Sequence, residues 1–111
     1  MTTRRNSGAK PLSHADAVRK VARLRRHVDA LNGLLARVLQ QRAQLVIAIG
    51  TLKAVAKLPA LDPARERAMA KRFSAVGGGY SPAALRRILR AVLLESRALV
   101  RKQQTQRAQV R

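Results

Sequence analysis

The chain has 111 residues, 24 of them Lys or Arg against 5 Asp or Glu, for a formal net charge of +19. With no cysteine, disulfides and thiolate chemistry are excluded, and with His14 and His27 lacking companions at ligand spacing no zinc or iron site and no other cofactor is expected. One domain of this size buries only about two-thirds of its unfolded surface, so its core is thin unless a partner completes it. The strong positive field calls for anionic partners, whether nucleic acid, an acidic protein or a small polycarboxylate, and charge alone does not choose among them. Apolar residues make up 47% of the chain, yet only Phe73 and Tyr80 are aromatic. The dominance of Ala, Leu, Arg and Gln marks an all-α protein.

Residues 1–13 are polar and basic, are broken by Gly8 and Pro11, and show no apolar period, so they read as a disordered basic arm. They lack the apolar stretch of a secretory signal. The longest apolar run, Leu45 to Ile49, is too short to span a bilayer, so a cytoplasmic protein that does not enter a membrane is expected.

Order is expected to begin near Ser13 to Asp16. From Val21 the apolar residues then step by three and four through Leu24, Val28, Leu31, Leu35 and Val38, and on to Leu45, Ile49 and Leu52. Continued to Leu58, where Pro59 stops it, this helix would be roughly 40 residues and on the order of 60 Å long. Two shorter helices cannot cover such a stripe, and a second copy lying alongside is the simplest remedy. Gly33 and Gly50 each cost the helix about 1 kcal/mol relative to Ala, which close packing can offset.

Asp62-Pro63 announces a second helix, an N-cap acceptor followed by proline at the first helical position, and the run Gly77-Gly78-Gly79 ends it. Ser81-Pro82 repeats the start signal. Leu85, Leu89, Val92, Ser96 and Leu99 then carry a stripe toward a glutamine-rich basic tail, residues 105–111, that is expected to fray. The plan is a three-helix protomer with one long N-terminal helix, its helical domain spanning residues 14–104.

Two polar residues, Arg42 and Ser96, interrupt the apolar seams. Arg42 occupies a core-facing step between Val38 and Leu45, and a buried guanidinium left unpaired costs several kcal/mol. Lys53, eleven residues on, returns to within roughly 20° of the same direction some 16 Å further along. Arg42 can pair with an internal carboxylate while Lys53 snorkels to solvent, or the two can converge on one ligand. Only five acids are available, and two of them, Asp62 and Glu66, sit four apart around Arg65, where capping and dipole compensation would by themselves account for them. Ser96 lies in the third helix's stripe, where a hydroxyl bonded back to its own helix is the simplest role. Together these residues suggest a polar pocket between helices of a bundle, its cationic lining selecting an anion.

The order Leu24-Arg25, Val28-Asp29, Leu31, Leu34-Leu35, Arg42, Leu45, Ile49-Gly50, Lys53, Asp62, Arg65-Glu66-Arg67, Leu85, Ile88-Leu89, Val92 and Ser96 resembles the AroQ class of all-α chorismate mutases. The resemblance covers residues 21–100 and runs without a gap from Leu24 to Arg67. It implies an intertwined helical homodimer with shared sites that rearranges chorismate to prephenate in aromatic amino-acid biosynthesis. By that resemblance Arg42, together with Arg25 from the other chain, holds carboxylates of chorismate. Lys53 bonds a carboxylate and the ether oxygen, Glu66 with Asp62 addresses the ring hydroxyl, and Arg65 and Ser96 complete the carboxylate contacts.

One position departs from the family. A glutamine one turn after the Ser96 position usually donates to the ether oxygen, and Val100 stands there instead. Loss of one such donor typically lowers turnover by about two to three powers of ten, so a weak enzyme is expected unless Gln103, seven residues after Ser96, substitutes. An isochorismate pyruvate lyase-like enzyme on the same scaffold is the nearer alternative, and the retained Asp62 and Arg65-Glu66 favour the mutase. A non-catalytic regulatory or anion-binding protein is the more distant one. On the resemblance, chorismate is favoured over nucleic acid as the anionic partner.

Overall fold

The structure, a computed structural model, describes residues 10–110. Three helices follow in order, α1 (His14–Ala56), α2 (Pro63–Ser74) and α3 (Pro82–Val110), with no strand among the described residues. The all-α, long-short-medium plan read from periodicity and caps is the one observed. Of the expected N-terminal arm, residues 1–9 lie outside the described residues, and 10–13 form no regular structure. Helix α3 continues through residues 105–110 of the tail that was expected to fray.

The ends of the helices follow from their local chemistry. Ser13 Oγ accepts from the Asp16 backbone N–H at 3.1 Å, satisfying one orphan donor at the start of α1. Asp62 and Ser81 cap α2 and α3 in the same way, accepting from Arg65 N and Ala84 N, each at 3.1 Å and each with proline next in sequence. At its other end α1 closes in a Schellman turn: Leu58 N donates to Lys53 O at 2.9 Å and Lys57 N donates to Ala54 O at 3.3 Å. The residue turned left-handed there is Lys57, at φ 58°. Glycine usually takes that place, and for a residue with a Cβ the conformation costs roughly 1–2 kcal/mol.

The chain divides into two compact units, one ending at Val38 and the other running from Leu39. In the first, α1 has no buried residue; Asp16, Ala17 and Gly33 are half-buried, and every residue from Val18 to Asn32 is exposed. The apolar stripe shares that exposure, with Leu24 at 61% and Leu31 at 63%.

In the second unit α2 packs on α3. Leu89 is its buried apolar residue, 6% exposed, and Ser74 is buried at the end of α2 with its hydroxyl donating to Lys71 O. The C-terminal stretch of α1 meets α3 at Gly50. A Cβ there would stand 3.0 Å from Val100 Cγ1, so the glycine permits the close approach and its helical cost has a local reason.

Candidate active site

A cavity of about 470 Å³ opens within the second unit, among the C-terminal part of α1, the α1–α2 joint, the first turns of α2 and the middle of α3. Arg42 and Lys53 both line it, as their shared direction on α1 predicts. Asp62, Arg65 and Glu66 come from the start of α2, and Ser96 and Val100 from α3. Seven of the eight residues expected at the site are therefore brought together. The eighth, Arg25, is exposed in the first unit and does not line this cavity.

Several of these side chains are held by identifiable contacts. Arg42 Nη1 donates to Ser96 Oγ at 2.6 Å, and that hydroxyl donates in turn to Val92 O at 2.8 Å, one turn back on α3. Ser96 thus plays the local role expected of it and a cross-helix role as well. The partner of Arg42 is a neutral hydroxyl, not an internal carboxylate. Lys53 Nζ donates to Ala60 O at 3.2 Å while its own carbonyl accepts from Leu58 N, so the turn that ends α1 also aims the ammonium. Asp62 commits one carboxylate oxygen to its cap.

The sequence reading missed Arg97. Its Nη2 donates to both carboxylate oxygens of Glu66 at 2.5 Å, joining α3 to α2 through a pair whose side chains are 34% and 31% exposed. Arg97 Nε is buried with no acceptor. Arg101 and Gln104 also line the cavity, whereas Gln103 does not. Their spacing was a usable signal: residues 97, 101 and 104 step by four and three, tracing a polar edge beside the apolar stripe.

The lining is thus strongly cationic, with Arg42, Lys53, Arg65, Arg97 and Arg101 against Asp62 and Glu66. Within it are small apolar surfaces from Val46, Gly50 and Val100. Such a wall orients an anion by several charge-assisted hydrogen bonds and seats an apolar skeleton between them. No group of three His, Asp or Glu among the described residues is placed to hold a metal ion. No helix among them is long and apolar enough to cross a membrane.

The model of the family chorismate mutase type II matches residues 24–101. Among solved structures, chorismate mutase form II from Thermus thermophilus is similar at 30% sequence identity and a TM-score of 0.72, over 76% of this chain and 97% of that one. Among curated proteins, none matches. These matches do not favour the lyase or the non-catalytic reading. The cationic cavity of the second unit therefore lies in a chain that belongs to the chorismate mutase type II family.

Proposed function

We propose that this isomerase rearranges chorismate to prephenate in the cavity lined by Arg42, Lys53, Arg65, Glu66 and Ser96. The observation that carries the reading is the convergence of Arg42, Lys53 and Arg65 from two helices on one concave site with a hydroxyl and two carboxylates. The reaction is an intramolecular rearrangement in which one C–O bond breaks as a C–C bond forms. It needs no nucleophile. It needs the enolpyruvyl arm held over the ring and donors where negative charge grows on the ether oxygen.

In this reading Arg42, Arg65 and Ser96 hold the carboxylates and Lys53 donates to a carboxylate and to the ether oxygen. Glu66, with Asp62, accepts from the ring hydroxyl. Arg42 and Lys53 are suited to these tasks because their present partners are neutral oxygens that a carboxylate displaces without breaking an ion pair. Val100 offers only methyl groups beside the ether oxygen, so Lys53 carries most of the stabilisation there. Gln104, one turn further on α3, places an amide on the cavity wall. Because helical side chains lean back over the preceding turn, it is better placed than Gln103 to assist.

The second part of the proposal is a homodimer. Leu24, Leu31 and Leu45, at 61%, 63% and 66% exposed, leave an apolar stripe along α1 that a second copy would cover. The same copy would bring the Arg25 that the cavity lacks. The net charge of +19 would draw the dianionic substrate toward the site in a cytoplasmic setting. The deciding experiment incubates purified protein with chorismate, follows loss of its absorbance and identifies the product. Prephenate supports the proposal, and pyruvate or unchanged chorismate overturns it.

A further inference from the structure

Glu66 stands on a wall whose cations include Arg42, Lys53, Arg65 and Arg101. A carboxylate with conformational freedom in such a field would pair with one of them and cancel a charge that a dianionic ligand requires. The observed arrangement avoids this. Both oxygens of Glu66 are taken by Arg97, and the other acid on the wall, Asp62, is engaged as a helix cap. Among the described residues the ion pairs are Arg97–Glu66 and the distant Arg19–Asp16. The hydrogen bonds of Arg42 and Lys53 go to a hydroxyl and a carbonyl, which leave their charges uncancelled. Arg97 meanwhile carries a buried Nε with no acceptor, a cost that its pairing with Glu66 explains.

We infer that Arg97 is a positioning residue: it holds Glu66 against α3, keeps that carboxylate from quenching Arg42, Lys53 and Arg65, and presents it as a fixed acceptor for a substrate hydroxyl. The inference rests on the chorismate reading for its substrate but not for its electrostatics.

The test compares the parent with Arg97→Ala, Arg97→Lys, Glu66→Gln and the double variant Arg97→Ala/Glu66→Gln. For each, kcat and KM with chorismate are measured, and helicity is checked by circular dichroism. Arg97→Ala is expected to raise KM about tenfold or more, with a smaller change in kcat, because ground-state binding of the carboxylates is what the loose Glu66 competes with. Arg97→Lys keeps the pair and stays near the parent. The double variant returns KM to within about threefold of Glu66→Gln alone, since a neutral amide cannot quench the cations.

An unchanged KM in Arg97→Ala, or no recovery in the double variant, overturns the inference. A lower melting temperature with unchanged KM would make Arg97 merely structural. Should Arg97→Ala fail to fold, Arg97→Gln takes its place with the same expectations. If the parent does not convert chorismate, the functional reading falls by itself, and calorimetric titration of the same proteins with malonate decides the inference. The same ranking of affinities upholds it; equal affinities, or no binding to the parent, overturn it.

Discussion

One helix behaves in two ways along its length. Between residues 39 and 56 of α1, half-buried positions recur in helical period at Arg42 and Ala43, Val46 and Ile47, Gly50 and Thr51, and Lys53. Between residues 18 and 32 the same apolar period runs on, yet every position is exposed. Hydrophobic periodicity declares that a face is to be covered; it does not say by which chain. The contrast between the two stretches is the main physical argument for the proposed homodimer.

The sharpest way to break that contrast is to charge the exposed stretch. Leu31→Asp with Leu35→Asp is expected to abolish dimerisation in light scattering, lower helicity and remove activity by more than about a hundredfold, since cover and Arg25 are lost together. A parent protein that is a well-folded monomer at micromolar concentration would sink the comparison outright. Next in size, Arg42→Ala and Lys53→Ala should each lower kcat/KM by about two to three powers of ten with circular dichroism preserved. Arg25→Ala should match them although it lies in the other stretch. Mixing the inactive Arg25→Ala and Arg42→Ala proteins should then restore up to about a quarter of parental activity, because a hybrid dimer keeps one intact shared site. No recovery on mixing, with subunit exchange verified by mass spectrometry, would mean that Arg25 does not cross between chains.

Smaller effects are expected at Val100. Val100→Gln should raise turnover about tenfold with little change in KM, and Gln104→Ala should lower the parent's turnover only if that amide already serves as donor. A lower rate in Val100→Gln with the fold preserved would place the ether oxygen elsewhere. Smallest, the two helical glycines should respond oppositely. A methyl group added at Gly33 would meet only Arg37 Nη1, at 3.6 Å, so Gly33→Ala should add about 1 kcal/mol in denaturant titration. Gly50→Ala pushes against a stiff, β-branched Val100 and should lose stability, recovering when Val100→Ala is added.

The helices were legible because their signals are local: the Asp62-Pro63 and Ser81-Pro82 starts, the glycine run after α2 and the apolar periods of α1 and α3 are read within a few residues of where they act. The site was legible as far as one helix could tell it. Arg42 and Lys53 share a direction on α1, the scarcity of acids and a polar step in the α3 stripe drew attention to Asp62, Arg65, Glu66 and Ser96, and the family resemblance added their roles, Arg25 and Val100. Arg97 escaped because its meaning depends on Glu66, 31 residues away on another helix. Gln103 was singled out because a seven-residue step from Ser96 returns to nearly the same face of an ideal helix. Gln104, its neighbour, lines the cavity instead.

The two joints between helices should differ in what they tolerate over evolutionary time. In residues 57–62 the left-handed Lys57, the bond from Leu58 N to Lys53 O, the acceptor Ala60 O and the capping Asp62 occupy four of six consecutive positions. An inserted or deleted residue there would displace the Lys53 ammonium and the start of α2 in a single stroke. In residues 75–81 the run Gly77-Gly78-Gly79 has open space at each would-be Cβ, and no residue of that joint reaches the cavity. Length changes, fused tags and inserted domains are therefore expected to survive between α2 and α3 and to be purged between α1 and α2.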